Sequence, residues 1–237
     1  MGGMSITSSK LDYSAAYSEW EGPSVQPDLA LFADSGSLKN LAQTGLQPGV
    51  VSGTPTFTAG VAGASLPFVT LGANAKLDTY HVFPQQLTIM SLLRMGAGQA
   101  NVVSMGIDTP GLLLLQRSGQ WNNWLVCGNG ADQITANAGM VSGSWQICVW
   151  QCDLSTVNPQ LTFQDYTTGA TASGTGKFAQ VYKPTQSIKL GDSGDQVAAS
   201  TYDAAVHLVW DSLLGAADLN TNVAWLRQFA QAYGTSA

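Results

Sequence analysis

The stretch GQWNNWLVCGNG, residues 119–130, sets Trp121 and Trp124 on either side of Asn122 and Asn123. An indole stacks on the apolar face of a sugar ring, and a carboxamide both donates to and accepts from sugar hydroxyls, so this grouping could hold a carbohydrate. The same residues could equally close a hairpin, with the tryptophans packed inside and the asparagines in the turn. If 111–117 and 124–128 pair, residues 118–123 form the hairpin end, with Trp121 and Asn122 at its tip. Trp124 then shares a face with Val126 and reads as core, whereas Trp121, three residues earlier, points away. One exposed indole beside two amides remains. Trp121, Asn122 and Asn123 are therefore the candidate carbohydrate- or partner-binding residues, with structure or interface weighing above sugar because interiors and interfaces claim most tryptophans.

Other chemistry is thinner. GDSGD, residues 191–195, gathers Asp192, Ser193 and Asp195, and calcium prefers such oxygen-rich loops. Two aspartates supply too few ligands, and a solvated turn is the simpler reading. No metal or other cofactor is expected, calcium being the one ion with any candidate ligands. A glycosidase needs two carboxylates flanking the scissile bond. The only glutamates are Glu19 and Glu21, and no strand offers aspartates at i and i+2, so the chain is not expected to be an enzyme. His81 and His207 have no Ser, Cys or second His at the spacing of a metal or nucleophilic triad. His207 reads as a strand histidine with a satisfied hydrogen bond, and His81 as exposed in the DTYHVFP loop. GAGQA, residues 96–100, lacks the Lys and the helix of a nucleotide site.

These residues need a scaffold, and the chain shows one. Short apolar runs alternate with turn clusters at 66–71, 87–94, 101–107, 111–117, 124–128, 145–152, 160–166, 187–191 and 205–210, which predicts many short strands. In WQICVWQC, residues 145–152, Trp145, Ile147 and Val149 oppose Cys148, Trp150 and Cys152, so that strand must be covered on both faces. The cover is a helix or another subunit. A helix is predicted over about 219–233, with Val223, Leu226, Phe229, Ala230 and Tyr233 on one side. Asn220 or Thr221 could cap its start, and Gly234 follows its end. Residues 1–27 are patterned weakly and read as an N-terminal arm before one domain at 28–237.

Composition narrows the partners. Only 10% of the 237 residues are charged, against about 25% in an average domain. With a net charge of -6 and nine scattered basic residues, nucleic-acid binding is not expected. The first twenty residues hold no apolar h-region, so no signal peptide is expected, and no run approaches the ~20 apolar residues of a membrane span. Cys148 and Cys152 would lie about 13 Å apart on one strand face, too far for a disulfide. With Cys127 they read as inert free thiols of a chain folded in a reducing cytoplasm. So few charges predict apolar contact patches and a homo-oligomer, a trimer being the guess among closed symmetries.

Read in order, several segments resemble the concanavalin A-like, laminin-G-like jelly-roll superfamily in its bacterial and bacteriophage form. FADSGSLKNLAQ (32–43) looks like the opening motif of that group, and GTPTFTAGVAGASLPFVTLGANAKLD (53–78) is similar to the stretch that follows. LTIMSLLR (87–94) takes the place of a strand ending in Arg, GSWQICVWQCD (143–153) that of a strand opening on Trp, and AWLRQFAQAYG (224–234) that of the closing helix. There are departures: His207 stands where an acid is usual, and the YVNG-type hairpin keeps only Asp165. The resemblance implies an all-β, two-sheet antiparallel jelly-roll sandwich with one C-terminal α-helix, and no particular function. Joined to the missing signal and the low charge, it predicts a non-enzymatic structural component of a bacteriophage virion. Such a protein would be a decoration, tail or fibre protein made in the host cytoplasm and docked on other virion proteins. The alternative is a lectin-like module that attaches to cell-surface glycans.

Overall fold

The two faces of residues 145–153 belong to two different cores. In the computed structural model, which describes residues 22, 25–42, 46–72, 75–104, 111–117, 123–127, 132–138, 140–191 and 200–237, Cys148, Trp150 and Cys152 point into one buried cluster. Ile147 and Val149 point into another. The expected double cover is therefore present, and a helix supplies the second half.

The described strands run β1 (Leu29–Ala33), β2 (Leu38–Asn40), β3 (Gly49–Ser52), β4 (Thr56–Thr58), β5 (Phe68–Gly72), β6 (Lys76–Val82), β7 (Gln86–Met95) and β8 (Gln99–Ser104). They continue as β9 (Gly111–Arg117), β10 (Asn123–Cys127), β11 (Asp132–Ala136), β12 (Trp145–Asp153), β13 (Gln160–Asp165), β14 (Thr171–Thr175), β15 (Ser187–Gly191) and β16 (Thr201–Trp210), and α1 (Ala216–Ala232) follows. One sheet has the order β14-β13-β12-β7-β16-β1-β2, with β5 also on β16 and β4 on β5; the other is β11-β10-β9-β8-β15-β6-β3. Their pairings are antiparallel, as in the meeting of β12 with β7 and of β16 with β7. The result is the expected two-sheet sandwich with one C-terminal helix. Between the sheets Leu93, Trp150, Phe163 and Tyr202 meet Leu77, Val102, Ile188 and Leu190.

Two local features shape the larger sheet. On β16 the register with β7 shifts between Ala204 and Val206, which leaves Ala205 as an extra residue. Tyr202 and Ala204 pack between the sheets before that bulge, and Val206, Leu208 and Trp210 pack under the helix after it. At the β2 edge, the Asn40 N–H donates to Gln47 Oε1 at 2.8 Å while Gln47 Nε2 donates to the Asn40 carbonyl at 3.1 Å.

Helix α1 lays Leu219, Val223, Leu226 and Ala230 on Met90, Leu92, Ile147 and Leu208. It begins three residues before the expected 219, with Gly215 as N-cap and no side-chain cap. Asn220 and Thr221 are inside the helix, and Thr221 Oγ1 donates to the Ala217 carbonyl at 2.8 Å. Hydroxyls that bond back in this way resemble caps in sequence while sitting in a helical turn. The far end follows expectation. Gly234 has φ +70, its N–H donates to the Gln231 carbonyl at 2.9 Å, and the Thr235 N–H donates to the Ala230 carbonyl at 3.0 Å. Among the described residues no helix is long and apolar enough to cross a membrane.

Candidate functional site

One row of side chains on the outer face of the larger sheet is left uncovered by the helix. The row Ile147–Leu92–Val206 lies beneath α1. Two residues further along β12 and β7, and three along β16 because of the bulge, register sets Trp145 opposite Arg94, Arg94 opposite Asp203, and Asp203 opposite Thr70. The inward neighbours Leu93 and Ala204 are fully buried, so alternation turns this row outward.

The four groups are locked together. Arg94 donates to Asp203 Oδ2 from Nη2 at 2.7 Å and from Nε at 3.0 Å. Thr70 Oγ1 donates to the other carboxylate oxygen at 2.7 Å. The guanidinium carbon lies 5.0 Å from the Trp145 ring centre and 5.3 Å from that of Phe68, a cation–π clamp on both. The two rings meet at 5.9 Å and 61°. Nη1 meets no acceptor among the described residues, and the Arg94 side chain keeps 34% of its exposure. A charged donor is thus held in one orientation with its outer N–H groups open.

Beside it opens a cleft of about 320 Å³, lined by Arg94, Asp203, Gly96, Ala97, Ser142, Gly143 and Thr201 among others. The Gly143 N–H donates to the Met95 carbonyl at 2.8 Å and the Gly96 N–H to the Thr201 carbonyl at 3.0 Å, which pins both walls. A Cβ at Gly96 would come within 2.6 Å of the Thr201 carbonyl, so this wall closes only with glycine there. Among its described lining residues the cleft offers hydrogen-bond donors, acceptors and hydroxyls.

A second polar group lies between the sheets. Register aligns Asp165, Cys148, Ser91 and His207 in one inward row. His207 is fully buried, its Nδ1 is 2.6 Å from Ser91 Oγ, and its Nε2 has no partner among the described residues. Burial pushes its pKa down to about 3. The Cys148 thiol is pushed up by burial and then by the Asp165 charge. Asp165 accepts from Gln146 Nε2 at 2.7 Å, Thr168 Oγ1 at 2.6 Å and the Thr167 N–H at 2.8 Å, which fixes the β13–β14 turn. Buried on every side, this row serves the core. His81 corrects the expectation of an exposed loop: it belongs to β6, and its Nε2 lies 2.7 Å from Asp211 Oδ1. That carboxylate raises its pKa against the opposing effect of burial.

Of the site residues expected from sequence, Trp121, Asn122, Asp192 and Asp195 lie outside the described residues. Asn123 opens β10, opposite Ala136. Strands β9 and β10 do pair, and Trp124 stands opposite Leu113 and Thr135. The buried residues of the neighbouring strand, Ile134 and Ala136, stand opposite Leu125 and Asn123. Arg94, Trp145, Asp203 and Thr70 went unremarked as a site. The available signal was that Arg94 closes, and Trp145 opens, a segment of the jelly-roll resemblance.

Several solved structures that superpose on this chain are binding domains. The binding domain of botulinum neurotoxin DC in complex with SialylT superposes with a TM-score of 0.63 at 11% identity, over 85% of this chain and 52% of that one. That domain in complex with rat synaptotagmin II gives 0.61 at 11%, over 85% and 52%. The serotype D ligand-binding domain in complex with N-acetylneuraminic acid gives 0.58 at 10%, over 89% and 54%. The likeness is one of fold. This chain spans about half the length of those domains. No family model matches it, and no curated protein sequence does.

Proposed function

We propose that the chain is a non-enzymatic, lectin-like module that binds glycans in the cleft beside Arg94. The observation that carries this reading is the clamp itself. Arg94 is fixed by Asp203 and by two aromatic rings, so little side-chain freedom is lost when its outer N–H groups meet a ligand. The fold adds support, since the serotype D neighbour was solved with a sugar acid bound. A structural part in a virion, the first expectation from sequence, gains no such observation, so the order of the two readings reverses.

The test is binding of the whole chain to immobilised glycans, with Arg94→Met beside it. Methionine keeps an apolar stem between the rings and removes the donors. The expected outcome is a loss of about tenfold or more in affinity, the scale of one charged hydrogen bond. Equal binding by both proteins, or none by either at millimolar sugar, overturns the proposal.

A further inference from the structure

We infer that the cleft selects an uncharged sugar, through adjacent hydroxyls, over an acidic one. This rests on the glycan-binding reading above and goes on to name the ligand class. Charge is the first ground. The positive charge of Arg94 is met at 2.7 Å by Asp203, no other cationic side chain among the described residues lines the cleft, and the chain carries a net charge of -6. An approaching carboxylate would find neither local surplus charge nor long-range attraction.

Hydrogen-bond chemistry is the second. A carboxylate accepts only, whereas the cleft presents donors and acceptors side by side: Arg94 Nη1, the Asp203 oxygens, and the Ser142 and Thr201 hydroxyls. Sugar hydroxyls both donate and accept. Two on neighbouring ring carbons can take a hydrogen from Arg94 and give one to Asp203, which no carboxylate can match. An acidic sugar brings hydroxyls too, but its carboxylate adds a charge that this cleft does not neutralise. The sugar acid of the serotype D neighbour is therefore not the expected ligand here.

The experiment probes an array of neutral galactose-, glucose- and mannose-terminated glycans and their sialylated counterparts at about 0.05 M and about 0.5 M NaCl, which spans strong and weak screening. Three proteins are compared: the native chain, Asp203→Asn and Ser142→Trp. Ser142 is exposed, so the indole fills the cleft without disturbing the core. The inference expects neutral glycans to bind with affinity changing less than about twofold with salt, and Ser142→Trp to abolish it. Asp203→Asn should weaken neutral binding by about tenfold and, by leaving Arg94 uncompensated, admit sialylated glycans. Preferential, salt-sensitive binding of sialylated glycans by the native chain, lost in Ser142→Trp, overturns the inference and leaves the glycan reading standing. Binding to no glycan, or binding that Ser142→Trp leaves intact, overturns both the inference and the assignment of this cleft.

Discussion

The two histidines respond to acid in opposite senses. His207 ordinarily titrates near 6.5 and is held near 3 by burial, so the unfolded chain binds its proton first. The stability it permits is complete above pH 6.5 and is lost as pH falls toward 3, at about 1.4 kcal/mol per pH unit. His81 is raised by Asp211, so its contribution is full below 6.5 and fades as pH rises through its folded value. Urea unfolding at about pH 7 and about pH 5 should therefore show His207→Gln losing about 2 kcal/mol less than the native chain over that interval. Equal losses would refute the assignment. At this scale the sequence was legible for His207, which is in a strand with one bonded nitrogen as expected. The Arg94 site was not. Its members come from four strands far apart in the chain, and each alone is an ordinary strand residue; only the pairing of β5, β7, β12 and β16 makes them neighbours.

Strands with their own apolar alternation were readable as elements. All nine runs singled out in the sequence correspond to strands, with ends displaced by a few residues. Among those passed over, β2, β4 and β14 are short and mostly polar, and a neighbour supplies their ladder, whereas β1, LALFA, is apolar and buried and lacks an alternation to mark it. The β2 edge shows what such a strand needs. Its outer N–H and C=O at Asn40 are taken by the carboxamide of Gln47, which stands in for the next strand. Gln47→Ala should cost about 1–2 kcal/mol through the unpaired amide, and concentrated protein should associate through the bared edge. Sedimentation velocity unchanged by the substitution would argue against this role.

For the whole molecule, the helix is the second lid of a three-layer stack. Removing 216–237 would open Met90, Leu92, Ile147, Leu208 and Trp210 to water together. Aggregation or a drop in Tm of tens of degrees is the expected result, since several large side chains would lose burial at about 1.5–3 kcal/mol each. A truncated chain that melts like the native one would show that the sheet does not depend on its lid. The bulge at Ala205 bears on the molecule in another way. Odd-numbered residues of β16 look outward before it and inward after it, so the strand reverses its parity at one position. Without that extra residue, and with the helix end held in place, Asp203 would be turned into the oily interior and the Tyr202 phenol out into water. One residue thus separates a strand that can show a carboxylate to a ligand from one that can only hide it. Deleting Ala205 should abolish the proposed glycan binding even in any fraction that still folds, and a folded deletion variant that binds as before would place the ligand elsewhere.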